Sequence, residues 1–216
     1  MPFHSRAQHR DHVAAQSSAR MLPEVSAISS GCFYLPGKSD ASWFDVIPLS
    51  SARVGLVIGQ VPDHGLQASV TMGRFRTAVS TLADLDLPPD ELLVHLDDVA
   101  TRIASDHISG SDVLNPGPSC MYAVYDPATC ELTLASAGWP EPLLSLPNGS
   151  VTSVDMPIGP SLGHGASYES SHCAVPPGSL LAFYSGSLLG RSTVAPDRMK
   201  SLRAAVAQSG RGPARP

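Results

Sequence analysis

The chain has 216 residues, 43% of them hydrophobic, which is enough for one buried core and too apolar for wholesale disorder. Its net charge of −5, with only 15% charged residues, offers no basic face, so no nucleic-acid partner is expected. The 18 glycines and 20 prolines speak for many turns and against an all-helical architecture.

Residues 1–20 read as a polar arm, with folded structure expected from Met21. His4, His9 and His12 in that arm read as surface histidines rather than metal ligands. Cys32 to Leu35, Trp43 to Leu49 and Val54 to Ile58 are short apolar runs with strand character. The third is almost wholly apolar, as in a strand covered on both faces. The period then changes. Ala68, Met72, Phe75, Val79 and Leu82 recur at helical steps and share one face of a helix predicted over Gly65 to Leu85. Pro88 and Pro89 open a second helix running to Ser105, with Asp90 and Glu91 in the first turn, where the helix dipole favours acids. Leu92, Leu96, Val99 and Ile103 form its buried stripe. After a loop at Ser109 to Pro118, strands are predicted at Met121 to Tyr125 and Glu131 to Ala135. Asn148-Gly149, between Leu143 to Leu146 and Val151 to Val154, signals a two-residue hairpin. Tyr168 to Val175 and Leu180 to Tyr184 flank Pro176-Pro177-Gly178. A last helix spans Pro196 to Gln208, and residues 209–216 read as a loose tail.

Strand runs separated from a helical pair predict an α+β fold, and the absence of βαβ alternation argues against a Rossmann fold. No apolar run approaches the ~18–20 residues of a membrane span, and the N-terminus lacks the apolar core of a signal peptide. The four cysteines contain no CxxC pair. A cytoplasmic protein with reduced thiols and no membrane contact is expected. Cys120 and Cys173 sit in apolar runs, where cysteine is ordinarily inert core. Gly186 to Gly190 is not a nucleophile elbow, and no phosphate-binding glycine loop is present.

Three segments carry more information than their composition. Ser42-Trp43-Phe44-Asp45-Val46-Ile47 comes first. Val57-Ile58-Gly59-Gln60-Val61-Pro62-Asp63-His64-Gly65 leads into the long helix. Leu181-Ala182-Phe183-Tyr184-Ser185-Gly186-Ser187-Leu188 ends a late strand. Between the last two lie Met121 to Pro127, Ala137-Gly138-Trp139-Pro140-Glu141-Pro142 and Pro157 to Gly163. In this order the six segments resemble the SpoIIE/RsbU branch of the metal-dependent PPM-type (type-2C) Ser/Thr phosphatases. The family's counterparts of the first three read Gly-Gly-Asp-Trp-Tyr-Asp-Val, Gly-Asp-Val-x-Gly-His-Gly and Tyr-Thr-Asp-Gly-Leu.

The resemblance implies a sandwich of two antiparallel β-sheets flanked by helices, over Met21 to Gln208. It also implies a chemistry, in which two Mn²⁺ or Mg²⁺ ions held by aspartates polarise a water that attacks a phosphoserine or phosphothreonine. Two dications close together repel, and hard cations need anionic oxygens to hold them. At the family's aspartate positions this chain carries Ser42, Gln60 and Gly186. The late Asp-Asp strand has no counterpart, which implies a shortened C-terminal part. Trp139 stands for the family's His, Asp63 for a Gly, and Ser187 for a Gly. The scaffold residues Trp43, Phe44, Asp45, Val57, Gly59, His64, Gly65 and Tyr184 are kept, with His64 expected as a hydrogen-bonding buttress and Asp63 as a helix cap. The expectation is therefore a degenerate domain, a pseudophosphatase with no catalytic residue and no metal cofactor. It would act as a regulatory binding module on an anti-anti-sigma (STAS) phosphoprotein or an active paralogue, in partner-switching control of a sigma factor. The rival expectation is an active metal-dependent Ser/Thr phosphatase with an unconventional metal site, for which Asp40 and Asp63 are the nearest substitutes.

Overall fold

Trp43, Asp45 and Ile47 alternate with Ser42, Phe44 and Val46 along the first strand, and this two-residue period sets the layering of the molecule. Trp43 and Ile47 pack with residues of two helices, whereas Phe44 and Val46 pack with residues of a second sheet. A computed structural model describes residues 28–30, 41–62, 65–106, 117–189 and 195–210. The expected strand at Cys32 to Leu35, the arm over residues 1–20, Asp40, Asp63 and His64 lie outside the described residues.

The first sheet runs β1 (Ala41–Pro48), β2 (Val54–Val61), β3 (Ser119–Asp126) and β4 (Glu131–Ala137) as antiparallel neighbours. The far edge of β4 is shared. β8 (Ser171–Ala174) pairs antiparallel with its first half, and β7 (Ile158–Gly159) pairs parallel with its last two residues. The second sheet has the order β6 (Val151–Ser153), β5 (Leu143–Ser145), β9 (Leu180–Ala182). Helices α1 (Gly65–Ala83) and α2 (Pro89–Asp106) cover the outer face of the first sheet. The short α3 (Gly186–Leu189) and the longer α4 (Ala195–Ser209) follow β9, and both belong to the cluster formed by Leu143, Tyr184 and Val206. The layers are thus helix pair, large sheet, small sheet, helix: the α+β sandwich that the sequence resemblance implied.

The helical stripes hold up with one adjustment. Ala68, Phe75 and Val79 are buried on α1, as are Leu92, Leu96 and Ile103 on α2. Met72, Leu82 and Val99 pack only partly against the core, and Thr71, Ala83, Leu93 and Ala100 complete it. One turn expectation is corrected. Asn148-Gly149 is not a two-residue turn. Leu146 N–H bonds Ser150 O at 2.9 Å and Gly149 N–H bonds Leu146 O at 2.8 Å, so Pro147, Asn148 and Gly149 form the loop and Gly149 takes the positive φ of 84°. Proline before Asn148 suits the first corner of a type I turn, which a left-handed glycine then closes. Pro176-Pro177-Gly178 lies between the two strands expected to flank it. β8 belongs to the large sheet and β9 to the small one, so this turn carries the chain between layers. The last helix ends at Ser209, one residue beyond the expected boundary.

Candidate functional site

The pairing registers place the motif residues with little freedom. Trp43 lies opposite Gly59 on the helix-facing side of the large sheet. An ideal Cβ on Gly59 would sit 2.2 Å from the Trp43 ring, so only glycine admits the indole there. Trp43 in turn stacks on Phe75 of α1, with ring centroids 6.2 Å apart and planes 18° apart. Asp45 shares that face. Its carboxylate accepts from Arg76 Nε–H at 2.6 Å and Nη2–H at 2.5 Å, and ties β1 to α1. The carboxylate of the first motif therefore serves helix docking, on the opposite side of β1 from Ser42.

Ser42 lies opposite Gln60, and Gln60 lies opposite Ser119. The three form a row across β1, β2 and β3 at one end of the inter-sheet face. Above the row opens a pocket of about 190 Å³. Gln60, Ser119 and Ser187 supply its polar side chains. Gly117, Gly138 and Gly186 supply bare backbone, and Pro62, Trp139 and Pro140 complete the lining. Gln60 and Gly186, from distant segments, thus meet at one pocket. Ser42 is not part of the lining but is the cross-strand neighbour of Gln60. Gly65 opens α1 at a φ of +67°. Tyr184 sits away from the pocket in the core under α4, where burial raises its phenol above the ordinary range, with Glu141 adding to the effect.

The pocket wall is set by Gly138 and Trp139 together with Ser136, which no motif marks. Gly138 turns the chain at a φ of +70°. Ser136, 1% exposed, then holds the backbone of Trp139 twice: its hydroxyl donates to Trp139 O at 2.7 Å and accepts from Trp139 N–H at 3.0 Å. Trp139 is 2% exposed and packs with Val46, Leu56 and Met121 between the sheets. A core indole fills the position where the resemblance implied a histidine. Ser136 and Ser119 were legible only as small residues in apolar strands, since serine signals no role by periodicity.

Donor chemistry decides what the pocket can hold. Among the described residues no carboxylate lines the pocket, and no group of three His, Cys, Asp or Glu is placed to hold a metal. Neutral amide and hydroxyl oxygens do not offset the repulsion of two hard dications. The described residues do not fit a two-metal centre, and no hydrolytic step is derived through one.

The profile of the SpoIIE family (Stage II sporulation protein E) matches residues 50–214, most of the chain. The chain belongs to the SpoIIE family. Solved structures agree at the level of fold. The RsbU and RsbW domains of Rv1364c from Mycobacterium tuberculosis superpose with a TM-score of 0.68 at 22% identity, covering 81% of this chain and 47% of that one. The PP2C phosphatase domain of SpoIIE from Bacillus subtilis, with a fragment of its regulatory domain, gives 0.57 at 10% identity, covering 82% and 55%. The SiaA-PP2C domain of Pseudomonas aeruginosa gives 0.57 at 11%, covering 80% and 75%. The chain thus spans about half the length of the first two. Gln60 and Gly186 fall inside the stretch matched to the SpoIIE family. Ser42 precedes it, and its place at the site rests on its pairing with Gln60. No helix among the described residues is long and apolar enough to cross a membrane.

Proposed function

We propose that this SpoIIE-type phosphatase domain is a pseudophosphatase that works by binding a protein partner rather than by hydrolysing a phosphoester. The observation that carries this reading is the pocket where Gln60 and Gly186 meet, beside Ser42, with no carboxylate among the described residues that line it. Metal-assisted phosphoester hydrolysis needs cations that polarise the attacking water and neutralise the phosphoryl oxygens. A pocket of amide, hydroxyl and backbone groups supports recognition without supplying that charge. The partner proposed is a phosphorylated anti-anti-sigma (STAS) protein, held without being dephosphorylated, or an active phosphatase paralogue. Two structural neighbours support a protein partner: one carries RsbU and RsbW domains in a single protein, and another is described under the bacterial stressosome, a modular system adapted to control secondary messenger signalling.

The test is calorimetric titration of the purified domain with Mn²⁺, together with Mn²⁺-dependent hydrolysis of an aryl phosphate. No binding heat, no rise in melting temperature and no hydrolysis are expected. Ligand at 100 times its dissociation constant stabilises by about 2.7 kcal/mol, so real metal binding would be plain. Mn²⁺-dependent turnover would replace this reading with that of an active phosphatase using an unconventional metal site.

A further inference from the structure

Asp97 is the one charged residue among the buried polar groups of the described chain, at 2% exposure, and neither the family motifs nor the proposed function uses it. It projects from the middle of α2 into the turn that follows β7. Its Oδ1 accepts from Gly163 N–H at 2.8 Å, His164 N–H at 3.3 Å and the Tyr168 hydroxyl at 2.9 Å, and its Oδ2 accepts from Gly165 N–H at 2.8 Å. Gly163 and Gly165 take φ of +94° and +67°. Their left-handed backbone curls three successive amides around one anion, a nest that ordinarily cradles a ligand and here cradles a side chain. Burial by itself would raise the Asp97 carboxyl. The amides and the phenol outweigh it and hold the group below its ordinary range.

The other side of this turn is the back of the pocket. Leu162 N–H bonds Pro118 O at 2.8 Å, and a Cβ on Gly117 would lie 2.0 Å from Leu162 O. A Cβ on Gly138 would lie 2.9 Å from Ser161 Oγ, and Gly138 N–H bonds Gly159 O at 2.8 Å. Gly117 and Gly138 line the pocket. A continuous path of close contacts therefore runs from the carboxylate on α2, through residues 159–165, to the pocket wall. We propose that Asp97 is a positioning residue for the pocket: its carboxylate orders the Gly163–Gly165 turn, and that turn sets where Gly117 and Gly138 stand. What the pocket binds rests on the function proposed above; the positioning role does not, and it is tested without any ligand.

The experiment is amide hydrogen exchange by NMR on the whole domain, comparing the parent with Asp97→Asn, which keeps the shape but turns a donor toward donors. Exchange of Leu162 and Gly138 N–H should accelerate about tenfold or more, as for loss of hydrogen bonds to a charged acceptor. Gly149 N–H, in the hairpin of the small sheet, should keep its parent rate. Val79→Ala, in the same helical layer but outside the turn, controls for general destabilisation. If Asp97→Asn does not fold, Tyr168→Phe removes one donor only and should give the same pattern at smaller amplitude. In Asp97→Ala, added formate should restore slow exchange by occupying the nest. Parent rates at Gly138 and Leu162 in the folded variant, or equal acceleration in Val79→Ala, would overturn the proposal.

Discussion

Putting carboxylates back tests the placement of the site most directly. Ser42 and Gln60 are directly opposed across an antiparallel pair, so their Cβ atoms stand about 4.5–5.5 Å apart. Two carboxylates at about 5 Å repel by about 1 kcal/mol in water and about 3 kcal/mol at an effective dielectric constant of about 20. A Cβ on Gly186 meets nothing within 4 Å, so an aspartate there enters the same pocket without a clash and adds repulsion of similar size. The variant Ser42→Asp/Gln60→Asp/Gly186→Asp should therefore lose about 2–5 kcal/mol of stability at neutral pH without metal. Millimolar Mn²⁺ should return about 2.7 kcal/mol once it reaches 100 times its dissociation constant, and it should leave the parent unchanged. Urea unfolding with and without Mn²⁺ measures both quantities. If the positions do not converge, each change behaves as an ordinary surface substitution, within about ±0.5 kcal/mol, and Mn²⁺ has no effect. That result would refute the placement. Loss of stability without Mn²⁺ recovery would refute the idea that the pocket has kept the geometry of a metal site.

Three further outcomes follow from the packing. Leu96 is fully buried between α2 and the large sheet, so Leu96→Ala should cost about 2–5 kcal/mol by urea unfolding, and a cost under about 1 kcal/mol would contradict the layering. Gly59→Ala drives a methyl into the Trp43 ring and should cost about 1–3 kcal/mol or more; in a Trp43→Phe background the same change should cost less, a coupling that a double-mutant cycle reads directly. Asp97 has a carboxyl held below its ordinary value of 3.8, so it stabilises the fold above that pH and the contribution fades as pH falls through the lower folded value. The stability gap between the parent and Asp97→Asn, measured in urea, should be widest near neutrality and narrow below about pH 4; a gap independent of pH would show that the nest binds shape rather than charge.

The layering was legible because it rests on periodicity. Helical spacing placed Phe75 and Leu96 in the core, and an almost unbroken apolar run marked β2 as a strand covered on both faces. The motif order placed Gln60 and Gly186, two residues of no intrinsic interest, at the same pocket. What stayed hidden depends on partners distant in sequence. The pairing of β4 with both β7 and β8 cannot be read from a two-residue strand. Pro176-Pro177-Gly178 signals a turn and does not say which sheet receives the chain next. Asp97 carries no signal in the sequence, because the amides that donate to its carboxylate lie about 70 residues further on. Ser136 and Ser119 carry no signal at all until Trp139 and Gln60 are placed beside them.

Three retained and three replaced motif residues lie in different places. Trp43, Gly59 and Asp45 act on the helix-facing side of the large sheet, where Gly59 admits the indole, the indole meets Phe75 and Asp45 meets Arg76. Changing any of them disturbs the docking of α1, whatever happens at the pocket. Ser42, Gln60 and Gly186 act on the other side, at an open strand end where side chains meet solvent or ligand and little packing depends on them. Converging carboxylates there destabilise a fold until a cation arrives, whereas a row of Ser42, Gln60 and Ser119 carries no such penalty. The neutral row and the Ser136 clamp on Trp139 shape the pocket through strand pairing and hydrogen bonds. For the binding role proposed above, a pocket built in this way predicts an affinity for the partner that does not follow the supply of metal.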